Sequence, residues 1–423
     1  MHKKLIVVAV SAMLVLAGCG GGGVSPETVV VYVPSDNPGD IALRRTQAKA
    51  FMKLHPKIPV KITVVPSEGY NEKVFTSIAS GNPPDIFGSG DVVIPLIADK
   101  GYAQDLNKFV DPADLEGFYP QVLDGLTYEG KLLGLTDNWD TQVMYYNRDL
   151  FDAAGVEYPD ASWTWDDMVD AARTLTEGSG PEKQYGVVME SWFAPLFDQV
   201  WSNDGEVFSQ DGRSCMLDEG TAPGAVQQIV DLFDEGLSPS PADLTSGSQD
   251  SLQTFLSGRA GMWIGSGRWA AYDLREAEDL NWAVAPRPNG NDHSRANFFH
   301  LAMFGISKGS DSPENAWEFL KYMTSEEGMR LGISNMQGIP SRMELAQDPQ
   351  IAQDSLVTEH DAFAPFITSL KTAHTAPNLV KFDEAMSEIE NALDPVWRGE
   401  EDVRAALSKG CAEADDVIAE DKG

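Results

Sequence analysis

The chain has 423 residues, 65 of them Asp or Glu and 31 Lys or Arg, giving a formal charge of −34 and a sequence pI near 4.3. That balance argues against nucleic acid as a partner, since phosphate backbones are held mainly by Lys and Arg. With 42% hydrophobic and 9% aromatic residues the composition is that of packed cores, unlike acidic disordered chains, and the length exceeds the roughly 250 to 300 residues at which one core stops growing, so two lobes are expected.

The N-terminus follows a targeting pattern rather than a folding one. His2-Lys3-Lys4 is a basic start, and Leu5 to Ala17 is a run of 13 apolar or small residues, too short to span a bilayer as a stable helix. It ends in Leu16-Ala17-Gly18-Cys19, which resembles the lipobox of bacterial lipoproteins. That resemblance implies cleavage after Gly18, lipidation of Cys19 and a Gly20 to Gly23 tether, with the membrane touched through the lipid anchor alone. The alternative is an ordinary signal peptide with an incidental cysteine. Setting Lys3 and Lys4 aside leaves 29 basic residues against 65 acidic ones, a balance of −36. Cys215 and Cys411 remain, and in an exported protein they either form one disulfide or stay as buried thiols. No Cys-x-x-Cys occurs and the six histidines never pair at metal-ligand spacing, so neither a metal site nor a cofactor is expected.

From Thr28 onward short β-branched runs alternate with helical periods, which predicts α/β architecture with mainly parallel sheets. The spacing predicts a strand over 28–33, a helix over 38–54, a strand over 60–65 and a helix over 70–80. Gly81-Asn82-Pro83-Pro84 breaks the pattern before a short strand, 85–87, which runs into Gly88-Ser89-Gly90-Asp91. That segment is expected to be a loop at a strand's carboxyl end, where ligands sit in open α/β sheets. Thr164 is placed to cap a helix with Asp167 at its third position, and Met168, Ala171, Ala172 and Leu175 form its buried stripe. Leu252 to Leu256 reads as a helix ended by Gly258, and Ala260 to Ile264 as a strand feeding Gly265-Ser266-Gly267-Arg268-Trp269. Ser312-Pro313 opens a further helix with Ala316, Phe319, Leu320 and Met323 inward. There is no repeat of fixed period.

Four stretches, in order, carry a family resemblance. They are Gly81-Asn82-Pro83-Pro84-Asp85-Ile86; Gly134-Leu135 through Tyr145-Tyr146-Asn147-Arg148-Asp149-Leu150-Phe151 and Ala154-Gly155-Val156 to Trp163-Thr164-Trp165; Phe255 through Gly258-Arg259-Ala260-Gly261-Met262 to Gly267-Arg268-Trp269; and Gly305-Ile306-Ser307 with Ala316-Trp317-Glu318-Phe319-Leu320. The chain resembles family 1 of the extracellular solute-binding proteins, the sugar-uptake receptors of ABC importers that include maltodextrin-binding protein. The resemblance implies a two-lobed periplasmic-binding-protein-like fold (type II) with a ligand cleft between lobes joined by crossover hinge segments. It implies no catalysis, an ABC permease as partner, a monomer, and an extracytoplasmic location on the cell membrane. After a signal peptide over 1–18 and a tether over 19–27, residues 28–138 plus 288–339 would form the N-terminal lobe and 140–284 plus 341–423 the C-terminal lobe. The crossovers would lie near Asn138 to Thr141, Val284 to Pro288 and Gly338 to Ser341. Cys215 and Cys411 would share the second lobe, which favours their pairing.

A sugar offers flat apolar faces and rings of hydroxyls, so its site needs aromatic plates and carboxylate, amide or Arg groups. By similarity, Asp36, Asn37, Ser89 and Asp91 would supply polar contacts from the first lobe; Asp36 and Asn37 read equally well as a turn before Pro38, and Asp91 as a helix cap. Asp140 would bind hydroxyls, with Trp139 beside it as a stacking plate. Trp269 in the Gly267-Arg268-Trp269 turn and Trp192 or Phe193 would be further plates, while Arg268 is either solvent-facing or a donor. Phe299, His300 and Gln337 are weaker candidates; Trp201 is expected to pack, and nothing local distinguishes His374 or Asn378 from surface.

Three other chemistries compete. Gly265-x-Gly267-x-x-Ala270 fits a dinucleotide fingerprint but lies far from the first βαβ unit and carries a bulky Arg-Trp. Gly305-x-Ser307-x-Gly309 fits a nucleophile elbow, yet its helix starts only at Ser312. A secreted glycosidase would need an acid pair that no spacing identifies. A receptor for a cationic solute, an amino-polyol or polyamine, is the other reading of Asp36, Asp91 and Asp140 together.

Overall fold

Val29, Val31 and Val33 are wholly buried while Val30 and Tyr32 are half-buried, the alternation of a central strand packed on one face more tightly than the other. This strand, β1 (Val29–Pro34), pairs in parallel with β2 (Val60–Val65) and β3 (Ile86–Gly90). The connections are α1 (Pro38–Leu54) and α2 (Tyr70–Ala79), the crossover helices that parallel pairing requires. The computed structural model describes residues 28–35, 38–190, 192–244, 248–290, 294–332 and 338–420. Cys19, Asp36, Asn37 and Gln337 lie outside the described residues.

The next elements are β4 (Asn138–Thr141), β5 (Val143–Asn147), α3 (Trp165–Leu175), β6 (Tyr185–Met189), α4 (Phe193–Trp201) and α5 (Ala222–Asp234). They are followed by α6 (Ser248–Leu256), β7 (Ala260–Ser266), α7 (Arg268–Asp273), β8 (Trp282–Pro286), β9 (Asn297–Ile306) and α8 (Pro313–Met323). Last come β10 (Ile339–Pro340), β11 (Ala373–His374), α9 (Phe382–Trp397) and α10 (Val403–Glu420).

The first sheet runs β10-β4-β9-β3-β1-β2, with β11 beside β9, and the second runs β8-β5-β7-β6. The sheets are mixed rather than mainly parallel as expected. β9 is antiparallel to both β3 and β4, and β5 is antiparallel to both β7 and β8. The physical reason is that the chain passes between sheets, so strands arrive from the far sheet rather than through a local crossover helix. Gly88, Ser89 and Gly90, expected as a loop, belong to β3 because β9 supplies hydrogen-bond partners opposite them, Phe304, Met303 and Ala302.

The first passage falls at Gln142. Asp140 and Thr141 still pair with β9 of the first sheet, whereas Val143 pairs with β7 and β8 of the second. The return lies between Pro286 of β8 and Asn297 of β9. Alternation along β5 splits its side chains between two cores: Val143 and Tyr145 join one cluster, Met144 and Tyr146 the other.

Two Arg–Asp pairs are buried, one ahead of β4 and one at the return passage. Arg44 of α1 holds Asp137 through two nitrogens, at 2.6 and 3.0 Å, and both side chains are shielded from solvent. Arg287, just past β8, lies 3.3 Å from Asp198 of α4, and both are likewise buried. Asp198 also accepts from the backbone N–H of Phe298 at 2.5 Å, tying the second lobe to the start of β9. Thr164 and Asp167 form the expected capping box at the head of α3. Cys215 and Cys411 are joined in a disulfide, Cα to Cα 5.1 Å, fastening the loop before α5 to α10 across 196 residues of chain.

Candidate ligand-binding site

The carboxyl end of β3, the middle of β9 and the end of β4 meet where the chain passes between sheets. Asp91 follows directly on β3. Its Oδ1 accepts from its neighbour Val92 N at 2.8 Å, which is not the expected helix cap, since the short helical turn that follows begins at Asp91 itself and takes no side-chain cap; its Oδ2 accepts from Leu301 N of β9 at 3.0 Å, so the side chain bridges two strands. On β9, His300 stands opposite Asp140 of β4 in the antiparallel register, which puts the imidazole and that carboxyl on one face. His300 Nδ1 lies 3.9 Å from Asp91 Oδ2. The three groups form a carboxyl–imidazole–carboxyl row, with 13% of the Asp91 side chain and 23% of the His300 side chain still open to solvent.

Burial governs the charge of this row. It pushes the Asp91 and Asp140 carboxyls up to about 7, against the pull of the backbone N–H groups that each accepts, and it pushes the His300 imidazole down to about 3. Near neutral pH the imidazole is uncharged and both carboxyls are poised between donor and acceptor forms. Gln142, at the passage itself, extends the row. With its amide nitrogen turned to Asp198 Oδ2 (2.8 Å) and Gly265 O (3.3 Å), its carbonyl faces His300 Nε2 at 3.5 Å, which selects the tautomer protonated at Nε2.

Asp140 is held by backbone donors, its neighbour Thr141 N at 2.8 Å and Arg268 N at 2.7 Å, with the backbone N–H of Trp269 acting on it as well. The second bond depends on Gly267, where any Cβ would run into the Asp140 carboxyl. Tyr145 braces the same turn, donating to Gly267 O at 2.6 Å and accepting from Ala271 N at 3.1 Å. Arg268 is a buried donor rather than a solvent-facing group; it reaches Gly338 O at 3.2 Å and Ala362 O at 3.3 Å.

Two indoles complete the surround. Trp192, at the N-terminus of α4, stacks on His300 with ring centroids 5.2 Å apart and planes 26° apart. Trp269, in the first turn of α7, stays half-buried and meets Trp263 edge to face at 6.0 Å. Ser89 is buried and donates to Asn71 Oδ1 at 3.3 Å. A cavity of about 180 Å³ opens beside Asp91 and is lined also by Tyr128, Phe299, Leu301, Thr375 and Asn378.

Two expected contacts are corrected. Trp139 is not a free stacking plate: its ring is 1% exposed, packed edge to face on Tyr119 at 5.3 Å and against Phe299 at 5.6 Å. Phe299 also lies on the face of the sheet away from His300, 1% exposed and with its edge on the cavity beside Asp91, so its neighbour His300 takes the place on the row. Phe193 packs on Phe197, Phe298 and Phe382, Trp201 stacks on His374 at 4.7 Å, and Asn378 lines the cavity beside Asp91. Gln142, Asp198 and Arg287 were not anticipated. Among the described residues no cluster of three or more His, Cys, Asp or Glu could hold a metal, and no helix is long and apolar enough to cross a membrane.

A two-lobed α/β molecule with a polar, aromatic-rimmed row at the passage between its sheets is the architecture of a solute-binding receptor. The family model of bacterial extracellular solute-binding proteins matches residues 40–330, and the chain belongs to that family. It is 25% identical over 410 residues to a putative binding protein of Brucella abortus, covering 96% of both chains. It is 24% identical over 438 residues to the diacetylchitobiose binding protein of Streptomyces coelicolor, again covering 96% of both. Among solved structures, an ABC substrate-binding protein of Listeria monocytogenes in complex with cycloalternan superposes with a TM-score of 0.80 at 25% identity, covering 93% of this chain and 99% of that one. The family is one of substrate-binding proteins, so the chain is a binding protein and not an enzyme.

Proposed function

We propose that the protein captures a mono- or oligosaccharide between its lobes and hands it to the permease of an ABC importer, working as a monomer tethered outside the cell membrane through lipidated Cys19. The lobes are proposed as 28–138 plus 288–339 and 140–284 plus 341–423, with the first boundary moved to follow Thr141, because Asp140 and Thr141 pair with β9 of the first sheet. The observation that carries the reading is the Asp91–His300–Asp140 row beside Trp192 and Trp269. A sugar hydroxyl donates and accepts at once, and carboxyls raised to about 7 beside a neutral imidazole can meet it in either sense. A cation fits this row less well, because the same burial that raises the acids disfavours bringing charge into it. The carbohydrate ligands named for the Streptomyces and Listeria relatives agree with the reading, as does the Leu16 to Cys19 lipobox with the anchor. Ser89, Asp36, Asn37 and Gln337 are proposed as further polar contacts.

Titration calorimetry and intrinsic tryptophan fluorescence against a panel of mono- and oligosaccharides test the proposal. Saturable binding without turnover is expected. A protein that responds to no carbohydrate, or whose binding steepens toward polyamines and weakens with salt, overturns it.

A further inference from the structure

Behind Trp192 the second lobe holds a cavity of about 210 Å³ that the row does not use. Its walls are apolar: Trp192, Phe193, Ile229, Phe233, Leu393 and Trp397 come from α4, α5 and α9. Three carboxylates, Glu190, Glu390 and Asp394, are its charged groups. Two of them already have partners. Glu190 accepts from Trp263 Nε1 at 2.7 Å, and Asp394 pairs with Arg398. Trp192 belongs to both places, since it lines this cavity and stacks on His300.

We infer that this cavity receives an apolar aglycone, an aryl or short alkyl group carried by the sugar, so that the ligand class is a glycoside rather than a free sugar. The inference rests on the sugar-binding reading above and specifies what else the ligand carries. A second sugar ring fits poorly, because its hydroxyls would lie against mostly apolar walls, and each unmet hydroxyl costs binding energy. A phenyl-sized group fits, as a dry cavity of about 150 Å³ is enough to hold benzene. The carboxylates set the sign of the discrimination. Burial and the nearby Asp383 hold the Glu390 carboxyl above its ordinary range, and an anionic aglycone would add a further negative charge beside it.

The test compares methyl, phenyl and 4-carboxyphenyl glycosides of glucose, galactose, mannose and N-acetylglucosamine by calorimetry on the mature chain. For whichever sugar binds, the phenyl glycoside should bind roughly tenfold to a hundredfold tighter than the methyl glycoside, and the carboxyphenyl glycoside should lose that gain. Ile229→Trp, which fills the cavity from α5, should abolish the phenyl advantage while leaving methyl glycoside affinity unchanged; Leu196→Trp, on the α4 wall of the same cavity, serves if the first variant does not fold. Free sugars that bind with no phenyl advantage overturn the aglycone inference alone, as does an advantage that survives in a folded filled variant. No binding by any of these glycosides overturns the aglycone inference, and the sugar reading falls with it when the mono- and oligosaccharide panel above also gives no binding.

Discussion

Gly267→Ala is the sharpest single perturbation of the site, because it adds one methyl group at the point where Asp140 meets the α7 turn. An alanine Cβ there would collide with Asp140 Oδ2, stand 2.9 Å from its Cγ and 3.1 Å from Trp269 Cδ1. The backbone needs no left-handed conformation at this position, so the cost is steric and not conformational. Relief requires Asp140 to swing off Arg268 N, which gives up a 2.7 Å hydrogen bond to a buried carboxyl. Overpacking of this kind costs about 1 to 3 kcal/mol, and the lost bond about 1.5 to 3 kcal/mol more. Thermal or urea unfolding should therefore show a loss of roughly 2.5 to 6 kcal/mol, and ligand affinity should fall because the displaced carboxyl no longer faces His300. Removing the carboxyl first makes the room: in an Asp140→Ala background the same glycine change should cost below about 1 kcal/mol, giving a strongly non-additive double-mutant cycle. Equal costs in both backgrounds, or a Gly267→Ala protein with unaltered stability and affinity, would refute the reasoning.

Trp269→Ala should weaken sugar binding by roughly 1 to 3 kcal/mol with the fold retained, and unaltered affinity in calorimetry would remove that ring from the site. For the pH dependence, Asp91 and Asp140 have folded values of about 7 against an ordinary 3.8, so the native state keeps protons that the unfolded chain releases between those values. Their contribution to stability is full below about pH 4, falls as pH rises to 7 and is level above it, by up to about 4 kcal/mol per carboxyl; urea unfolding of Asp91→Asn and Asp140→Asn should show a shallower decline from pH 5 to 8 than the parent, and an unchanged slope would count against the shifts. Asp198→Leu strands the buried Arg287 and should cost about 3 to 5 kcal/mol, part of it recovered in Asp198→Leu/Arg287→Met, where Phe298 N and the Gln142 amide still lack their acceptor, whereas equal instability of single and double variants would show that the pair is not the cause. Replacing Cys215 and Cys411 by Ser should lower stability by about 2 to 5 kcal/mol, given the 196 residues the bridge spans, and a melting temperature equal to the parent's would contradict that loss.

The helices were legible because their rules are local. Pro38–Leu54 and the Thr164–Asp167 box follow from apolar spacing and a cap that act within a few residues. The Gly88–Gly90 strand was not, since glycines carry no strand signal and it forms only because β9, more than 200 residues on, pairs with it. Asp198 and Arg287 have the same difficulty: each is an ordinary charged residue in its own segment, and only the fold brings them within 3.3 Å. The two misassigned rings are different, for the sequence did contain what was needed to place them. Neighbouring residues on a strand face opposite sides, so Trp139 and Asp140 could not both meet a ligand across one face, nor could Phe299 and His300. What the sequence lacked was the register that fixes the phase. Once His300 is set opposite Asp140, Leu301 falls opposite Trp139 and Phe299 opposite Thr141. Trp139 and Phe299 must then share the far side of the sheet, where their rings meet at 5.6 Å, and the imidazole rather than the phenyl ring is left beside the carboxyl.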